Sequence, residues 1–427
     1  MPDLLLSFYG DDFTGSSDAM EALASHGVPT VLFTRQPTGA EFEPFADYRA
    51  IGLAGSSRSR SPAWMDEHLT PALQWLAGLN ARFCHYKVCS TFDSSPTVGS
   101  IGKAIDIGRV VFAQSTVPLI VGVPQLRRYT AFGNLFAAYQ GTVYRIDRHP
   151  VMSRHPVTPM HEADLRLHLA AQTATPVVLH GAGERPNGIV LIDVADAASQ
   201  LEAGRLLLEP GPRTGPFVVG SSGVEYALLR ALVQDGAVAG TSTFAPVPRA
   251  DRVIALSGSC SPTTERQIGY ALANGFQGVA VDPVALATSR QAETDRILPL
   301  ALAMLAAGCS PLIHTALGPA TDTSAALDAI AGGRAEVGTG LGAIARALIE
   351  RTAIRRVLFA GGDTSSHALA ELDIFALTTR YPLAATPGSP LCTAHSGRRE
   401  LDGIDLAMKG GQLGGDDYFV KLRDGIA

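Results

Sequence analysis

The stretch LLLSFYGDDFTGSSDAMEALASHG, residues 4–27, decides the fold. Leu4 to Tyr9 is a short, nearly unbroken apolar run that stops at Gly10-Asp11-Asp12. A strand buried on both faces reads this way, and it ends in a loop. From Ser16 to His26 the pattern changes period. Met20, Leu23 and Ala24 form an apolar stripe, while Asp18, Glu21 and Ser25 stay polar, so a helix is predicted. Gly27 supplies its C-cap, and Val31 to Phe33 begins a second strand. Strand, helix, strand over so short a distance predicts a parallel sheet.

Working outward, Val117–Val121, Ile189–Ile192 and Phe217–Val219 read as further strands, and Leu69–Leu79, Glu162–Gln172 and Gly223–Val233 as helices between them. The stretch QDGAVAGTSTFAPVPRADR, residues 234–252, has no apolar periodicity and is rich in small residues and proline. It reads as a linker with a boundary near residue 245. The pattern then restarts. Arg252–Leu256, Val279–Val281, Pro311–Thr315 and Arg356–Phe359 are predicted strands, and Leu298–Ala307, Thr339–Arg351 and Ser365–Leu372 predicted helices. The expectation is an α/β protein of two doubly wound domains, 1–245 and 246–427, with mostly parallel sheets and an interdomain cleft.

Composition narrows the class. With 46% hydrophobic and 17% charged residues, the chain has ample material for packed cores. A formal net charge of −6 argues against nucleic-acid binding, which needs clustered Lys and Arg. The N-terminus lacks the basic region of a signal peptide, and the apolar stretch Ile297–Cys309 is too short to span a bilayer. The five cysteines are odd in number and form no CxxC pair, so reduced thiols in the cytoplasm are expected.

Three stretches of the first half carry chemistry. Asp11 and Asp12 sit where the first strand ends, the edge at which open α/β sheets bind ligands. Adjacent acids there can hold a hydroxyl, act as a base or order the start of the helix, and the residues alone leave these open. KVCSTFDSSP, residues 87–96, offers one cation, several hydroxyls and a carboxylate. Lys87 suits an anionic carboxylate, and Asp93 with Ser90 and Thr91 suits hydroxyl groups. RIDRHPVMSRHPVTPM, residues 145–160, crowds three Arg and two His among three prolines, which forbid a long helix. A rigid loop presenting Arg154 and its neighbours is an anion-site candidate. Gly220-Ser221-Ser222-Gly223, between a strand and a helix, repeats the anion-friendly pattern.

The second half has two similar junctions. Ile254–Leu256 runs into Ser257-Gly-Ser-Cys-Ser261 and a helical segment, and Val357–Phe359 runs into Ala360-Gly-Gly-Asp-Thr-Ser-Ser366 and another. Small residues let a phosphate approach backbone N–H groups at a helix N-terminus, and Ser259, Thr364 and Ser365 add hydroxyls. With Lys409-Gly410-Gly411-Gln412 these are the parts of a nucleotide cradle. No GxxxxGK[ST], kinase HRD/DFG pair, HExxH, GxSxG or zinc spacing occurs, and no residues are singled out as metal ligands. Gly338-Thr-Gly-Leu-Gly342 is weakly similar to a dinucleotide loop but follows no strand, so it is set aside.

These motifs in this order resemble the four-carbon acid sugar kinase family, also called tetronate or 3-oxo-tetronate kinases. The resemblance is carried by residues 10–23, 87–96, 152–160, 256–267, 360–366, 386–391 and 408–419. It implies a two-domain α/β enzyme that uses ATP with Mg²⁺ to phosphorylate the terminal hydroxyl of a threonate, erythronate, 3-oxo-tetronate or related branched 3-oxo acid. The nucleotide contacts would fall on Ser259, on Gly361, Gly362, Asp363 and Thr364, and on Gly411. The substrate contacts would fall on the Asp11-Asp12 turn, on Lys87, Ser90 and Thr91, and around Arg154, with Asp12, or else Asp11, as base. Related sequences often have GGET where this chain has Gly361-Gly-Asp-Thr364, and KSGN where it has Lys409-Gly-Gly-Gln412. Two rival readings are a dinucleotide-dependent dehydrogenase, opposed by the missing GxGxxG, and a non-catalytic sugar-acid binding protein. A homodimer is common for such enzymes.

Overall fold

The computed structural model describes residues 4–181, 187–209 and 215–426, apart from the side chain of Asp363. The chain divides into two compact units, Met1–Ser242 and Thr243–Ala427.

The first unit is built on strands β1 (Leu6–Gly10), β2 (Thr30–Phe33), β3 (Ala50–Ala54), β4 (Phe83–Lys87) and β5 (Thr116–Ile120). A separate antiparallel sheet of β6 (Arg128–Ala131), β7 (Asn134–Tyr139) and β8 (Thr142–Arg145) follows, and then β9 (Val177–Leu179), β10 (Gly188–Leu191) and β11 (Phe217–Gly220). The main sheet runs β2-β3-β1-β4-β11-β5-β10-β9, and every pairing in it is parallel. All five residues of β1 are buried, as its unbroken apolar run requires. After β1 the chain passes to β2, returns to β3 beside β1, and then crosses to β4 on the other side of β1. The switch point therefore lies between β1 and β4, where Gly10 and Lys87 are register partners.

Helix α1 (Phe13–Ser25) follows β1 and begins three residues before the predicted start. The reason is Asp12, the N-cap, whose side chain accepts from the Gly15 N–H. The predicted helix Glu162–Gln172 contracts to Leu165–Ala170, capped by Asp164. The proline-rich segment after β8 holds only two short 3₁₀ turns, Ile146–Arg148 and Met152–Arg154.

The second unit contains β12 (Ile254–Ser257), β13 (Phe276–Ala280), β14 (Ser310–His314), β15 (Arg356–Ala360), β16 (Ile374–Tyr381), β17 (Leu391–Ser396) and β18 (Asp405–Lys409). Their order is β13-β14-β12-β15-β18-β17-β16. The first five are parallel, and β17 and β16 add an antiparallel edge. Helix α2 (Pro262–Ala273) follows β12, and α3 (Gly362–Glu371) follows β15. The Gly338–Gly342 run lies inside the helix Gly333–Arg351. A Cβ on Gly340 would come within 2.5 Å of Leu286, and one on Gly342 within 2.8 Å of the Ala368 backbone, so these glycines serve helix packing. Among the described residues, no helix is long and apolar enough to cross a membrane.

Candidate active site

Four loops meet at the carboxyl edge of the first unit's sheet. The turn after β1 brings Asp11 and Asp12. Oδ1 of Asp12 accepts from the Gly15 N–H at 2.5 Å, and Oδ2 accepts from Arg58 Nη1 at 2.8 Å. Arg58 comes from the serine-rich turn after β3. Its Nη2 donates to both oxygens of Asp93, at 2.8 and 2.9 Å. Asp93, on the loop after β4, also accepts from Thr91 Oγ1 at 2.5 Å and from Thr158 Oγ1 at 3.1 Å. Nδ1 of His155 accepts from the Thr158 N–H, which holds Thr158 in place. One guanidinium thus joins two carboxylates through separate arms of its fork.

The exposure pattern separates the roles of these groups. The Asp93 side chain is fully buried, whereas those of Asp12 and Arg58 keep 31% and 27% of their surface. Asp93 is therefore an anchor, while Asp12 and one edge of Arg58 are open to a ligand. Burial alone would raise the Asp93 pKa, but Arg58 and Thr91 outweigh it and hold the group below its usual range. Phe92, between Thr91 and Asp93, is buried with φ of +57°. A bulky residue in the left-handed region costs about 1–3 kcal/mol and persists where its surroundings over-determine it. Here that conformation aims Thr91 and Asp93 at the arginine.

Lys87, at the end of β4, is 2% exposed. Its Nζ lies 3.6 Å from Asp18 Oδ2 and donates to the Val88 carbonyl at 3.2 Å. Burial would lower its pKa, but Asp18, Glu225 and Asp12 more than compensate and keep it cationic. Glu225, at the start of the helix Gly223–Gln234, accepts from His85 in a pair with neither side chain exposed. A Cβ on Gly15 would sit 2.7 Å from Asp12 Oδ1 and 3.1 Å from Lys87 Nζ, so only glycine leaves room for both groups at the helix start.

Asp11 is buried, and its Oδ1 has no hydrogen-bond partner. Burial, then the charge of Asp12, raise its pKa to about 8 against the pull of Arg58 and Lys87. The carboxyl is thus neutral at pH 7. A folded-state value above the unfolded one, about 3.9, means this group favours folding most below that pH, and the contribution falls as pH rises toward 8. Asp11→Asn mimics the neutral form. It is expected to gain stability relative to the parent as pH rises from about 5 to 8, read by urea denaturation at both values. Identical pH slopes for the two proteins would contradict the buried neutral carboxyl.

Of the residues singled out in the sequence, Asp11, Asp12, Lys87, Thr91 and Asp93 come together here. Ser90 lies half-buried on the same loop, and Arg154 is exposed on its 3₁₀ turn. Among the described residues neither forms a hydrogen bond or ion pair within the cluster. Arg58 was missed. Its signal was an arginine–serine turn, Ser56-Ser-Arg-Ser-Arg60, directly after the apolar run of β3.

In the second unit, three loops follow the parallel neighbours β12, β15 and β18. The Gly258 N–H donates to the Ala360 carbonyl at 3.1 Å, and the Gly361 N–H to the Lys409 carbonyl at 2.9 Å. The Gly411 carbonyl accepts from Ser261 Oγ at 2.5 Å and from Thr264 Oγ1 at 2.9 Å. Cβ atoms added at Gly258 and Gly411 would fall 2.1 Å from Thr364 Oγ1 and 2.6 Å from Ser259 Oγ. Gly361 caps α3 with φ of +122°, a value suited to glycine. Ser259, Gly361, Gly362, Thr364 and Gly411 thus lie on neighbouring loops of backbone and hydroxyl groups at the N-termini of α2 and α3. The Asp363 side chain lies outside the described residues.

Family models match both units. One, described as a sugar-binding N-terminal domain, covers residues 6–228, and another, described as a nucleotide-binding C-terminal domain, covers residues 254–419. The chain belongs to the four-carbon acid sugar kinase family. It is a sugar acid kinase, and the dehydrogenase and binding-protein readings are set aside. A 3-oxo-isoapionate kinase of Paraburkholderia graminis is 44% identical over 99% of this chain and 94% of its own. A 3-oxo-tetronate kinase of Methylobacterium radiotolerans is 32% identical over 99% of this chain and 100% of its own. A solved structure from Salmonella typhimurium LT2 superposes on the kinase with a TM-score of 0.76 at 25% identity, covering 98% of each chain. A solved Haemophilus influenzae protein, with a TM-score of 0.73 at 22% identity and coverage of 98% of this chain and 99% of its own, shares the fold.

Proposed function

We propose that the kinase transfers the γ-phosphoryl group of MgATP to the terminal hydroxyl of a branched 3-oxo sugar acid closely related to the four-carbon acids. The observation that carries this reading is the Asp12–Arg58–Asp93 bridge at the switch point of the first unit. It offers one accessible carboxylate beside one accessible guanidinium edge, as a hydroxy acid needs. The preference for a branched 3-oxo acid is supported by the 44% identity to the 3-oxo-isoapionate kinase, against 32% and 28% to 3-oxo-tetronate kinases of Methylobacterium radiotolerans and Pseudomonas fluorescens.

In this reading Asp12 accepts the proton of the attacking hydroxyl. Arg58 and the exposed Arg154 are the cations open to the substrate carboxylate. Lys87 stays behind, tied to Asp18, and sustains the negative charge of the Asp12 turn. Thr91 and Asp93 hold Arg58, with Ser90 on the same loop open to a substrate hydroxyl. Ser259, Gly361 to Thr364 and Gly411 would receive the nucleotide through backbone N–H groups and hydroxyls. Among the described residues there is no group of three or more His, Cys, Asp or Glu able to hold a metal ion. Mg²⁺ would arrive on the phosphates of ATP, as part of that substrate. Phosphoryl transfer demands mostly alignment and charge neutralisation, which these groups supply.

Coupled ADP release with MgATP tests the reading across a branched 3-oxo acid, straight-chain 3-oxo-tetronates, threonate, erythronate and a ketose lacking the carboxylate. The branched acid is expected to give the highest kcat/KM and the ketose the lowest. Equal use of the ketose would refute carboxylate recognition. ADP release that ignores the acid added would refute the acceptor.

A further inference from the structure

Lys409 ends β18, and its side chain is 1% exposed. Its Nζ donates to Thr264 Oγ1 at 3.1 Å and to the Gly410 carbonyl at 3.2 Å, and lies 5.6 Å from the centre of the Tyr418 ring. Both hydrogen-bond partners are neutral. Among the described residues no carboxylate lies within 4 Å of it. The other buried lysine, Lys87, has Asp18 beside it. Buried ammonium groups are ordinarily paired, because an uncompensated charge in a dry site is costly.

Two further facts sharpen the anomaly. Thr264 is in the first turn of α2, so the ammonium lies beside the positive end of a helix, where a cation is disfavoured and an anion favoured. Lys409 also links the three loops of the second unit's candidate site. Its carbonyl accepts from the Gly361 N–H, its ammonium reaches Thr264, and Gly411 follows two positions on. The charge therefore sits where the phosphates are expected, with one N–H left over. We infer that Lys409 is the counter-charge for a nucleotide phosphate group, a buried cation completed only when the polyphosphate is bound. This inference rests on the second unit being the nucleotide site.

Burial lowers the Lys409 pKa to about 8. The titratable groups packed around it are Tyr418, whose hydroxyl burial pushes far above its usual range, and Cys392 on β17 beside that tyrosine. The Tyr418 phenol is uncharged near pH 8 and cannot hold the ammonium. A phosphate at Nζ restores the lysine's affinity for its proton. Nucleotide binding near pH 8 should therefore take up a proton, and ADP affinity should weaken as pH rises above 8.

Calorimetric titration of Mg·ADP at pH 8, in two buffers of different ionisation enthalpy, tests this on the parent, Lys409→Met and Lys409→Arg. The parent should take up a substantial fraction of a proton. Lys409→Met should take up none and bind ADP roughly 10- to 100-fold more weakly, the size of a lost charge-assisted hydrogen bond. Its melting temperature without nucleotide should be no lower, since an unpaired buried charge has been removed. Lys409→Arg, which keeps the charge, should retain most of the affinity. Should the Met variant fail to fold, the parent's ADP affinity from pH 7 to 9.5 decides the matter, and a flat profile would overturn the inference. Equal ADP affinity of parent and Met variant would overturn it while leaving the nucleotide site intact. Absence of ADP binding by the parent would overturn the nucleotide reading, and this inference with it.

Discussion

Asp12→Asn is expected to lower kcat by roughly 10²- to 10⁴-fold, the usual contribution of a positioned general base. The substitution is selective. Asn retains an oxygen for the Gly15 N–H, so the cap on α1 survives. It presents an amide N–H₂ to Arg58 Nη1 where a carboxylate oxygen accepted at 2.8 Å. The acceptor hydroxyl loses its proton sink, and nucleotide affinity in the second unit should be unaffected. Steady-state kinetics with ADP binding measured in parallel separates the two effects. A kcat within about threefold of the parent would remove Asp12 as the base, given the usual size of that effect.

Arg58→Met is expected to be the most destabilising single change in the first unit's site. It strips the counter-charge from Asp93, which has no exposed side-chain surface. Breaking a fully buried pair costs about 3–5 kcal/mol, and because Arg58 is 27% exposed the lower end applies. The loss should appear in urea or thermal unfolding. Catalysis should fail as well, because Asp12 loses its second anchor. Arg58→Lys distinguishes charge from geometry. A lysine restores one positive charge but cannot span Asp12 and Asp93 with separate arms. Most of the stability should return while kcat/KM stays depressed. If Arg58→Met unfolded like the parent and turned over normally, the bridge would be incidental.

The parts of this account legible in sequence were those encoded locally. The apolar run of β1 followed by the helical stripe of α1 announced a parallel sheet, and the glycine-rich junctions after β12 and β15 announced an anion-friendly edge. The hairpin sheet β6-β7-β8 was not legible, for a physical reason. Its turns are Phe132-Gly133 and Gln140-Gly141, all four with positive φ. Such turns normally advertise themselves by Asn-Gly or Asp-Gly. Here a phenylalanine and a glutamine take the left-handed position, so the signal is absent. Strands β16 and β17 were missed although they are consecutive and pair with each other, because the connection from Pro382 to Pro390 is too long to carry a tight-turn signal. In the first unit, Asp11 and Asp12 stood out through their position at a strand end, but the role of each could not be read from adjacency. Burial separates them, leaving Asp11 neutral and Asp12 accessible. Arg58 escaped notice because an arginine in a serine-rich turn looks like any solvated loop until Asp12 and Asp93 are seen on either side of it. Lys87 carried the right charge for a substrate carboxylate in sequence; the fold buries it, with Asp18 beside its ammonium, which no pattern in the sequence announced.

The central claim is transfer of a phosphoryl group to one particular oxygen, and ³¹P NMR of the product with proton correlation tests it most directly. With MgATP and the branched 3-oxo acid, the account predicts one new phosphomonoester, coupled to the two protons of the terminal CH₂ and formed in equal amount to ADP. Inorganic phosphate as the only new signal, or an ester on any other oxygen of the acid, would contradict it.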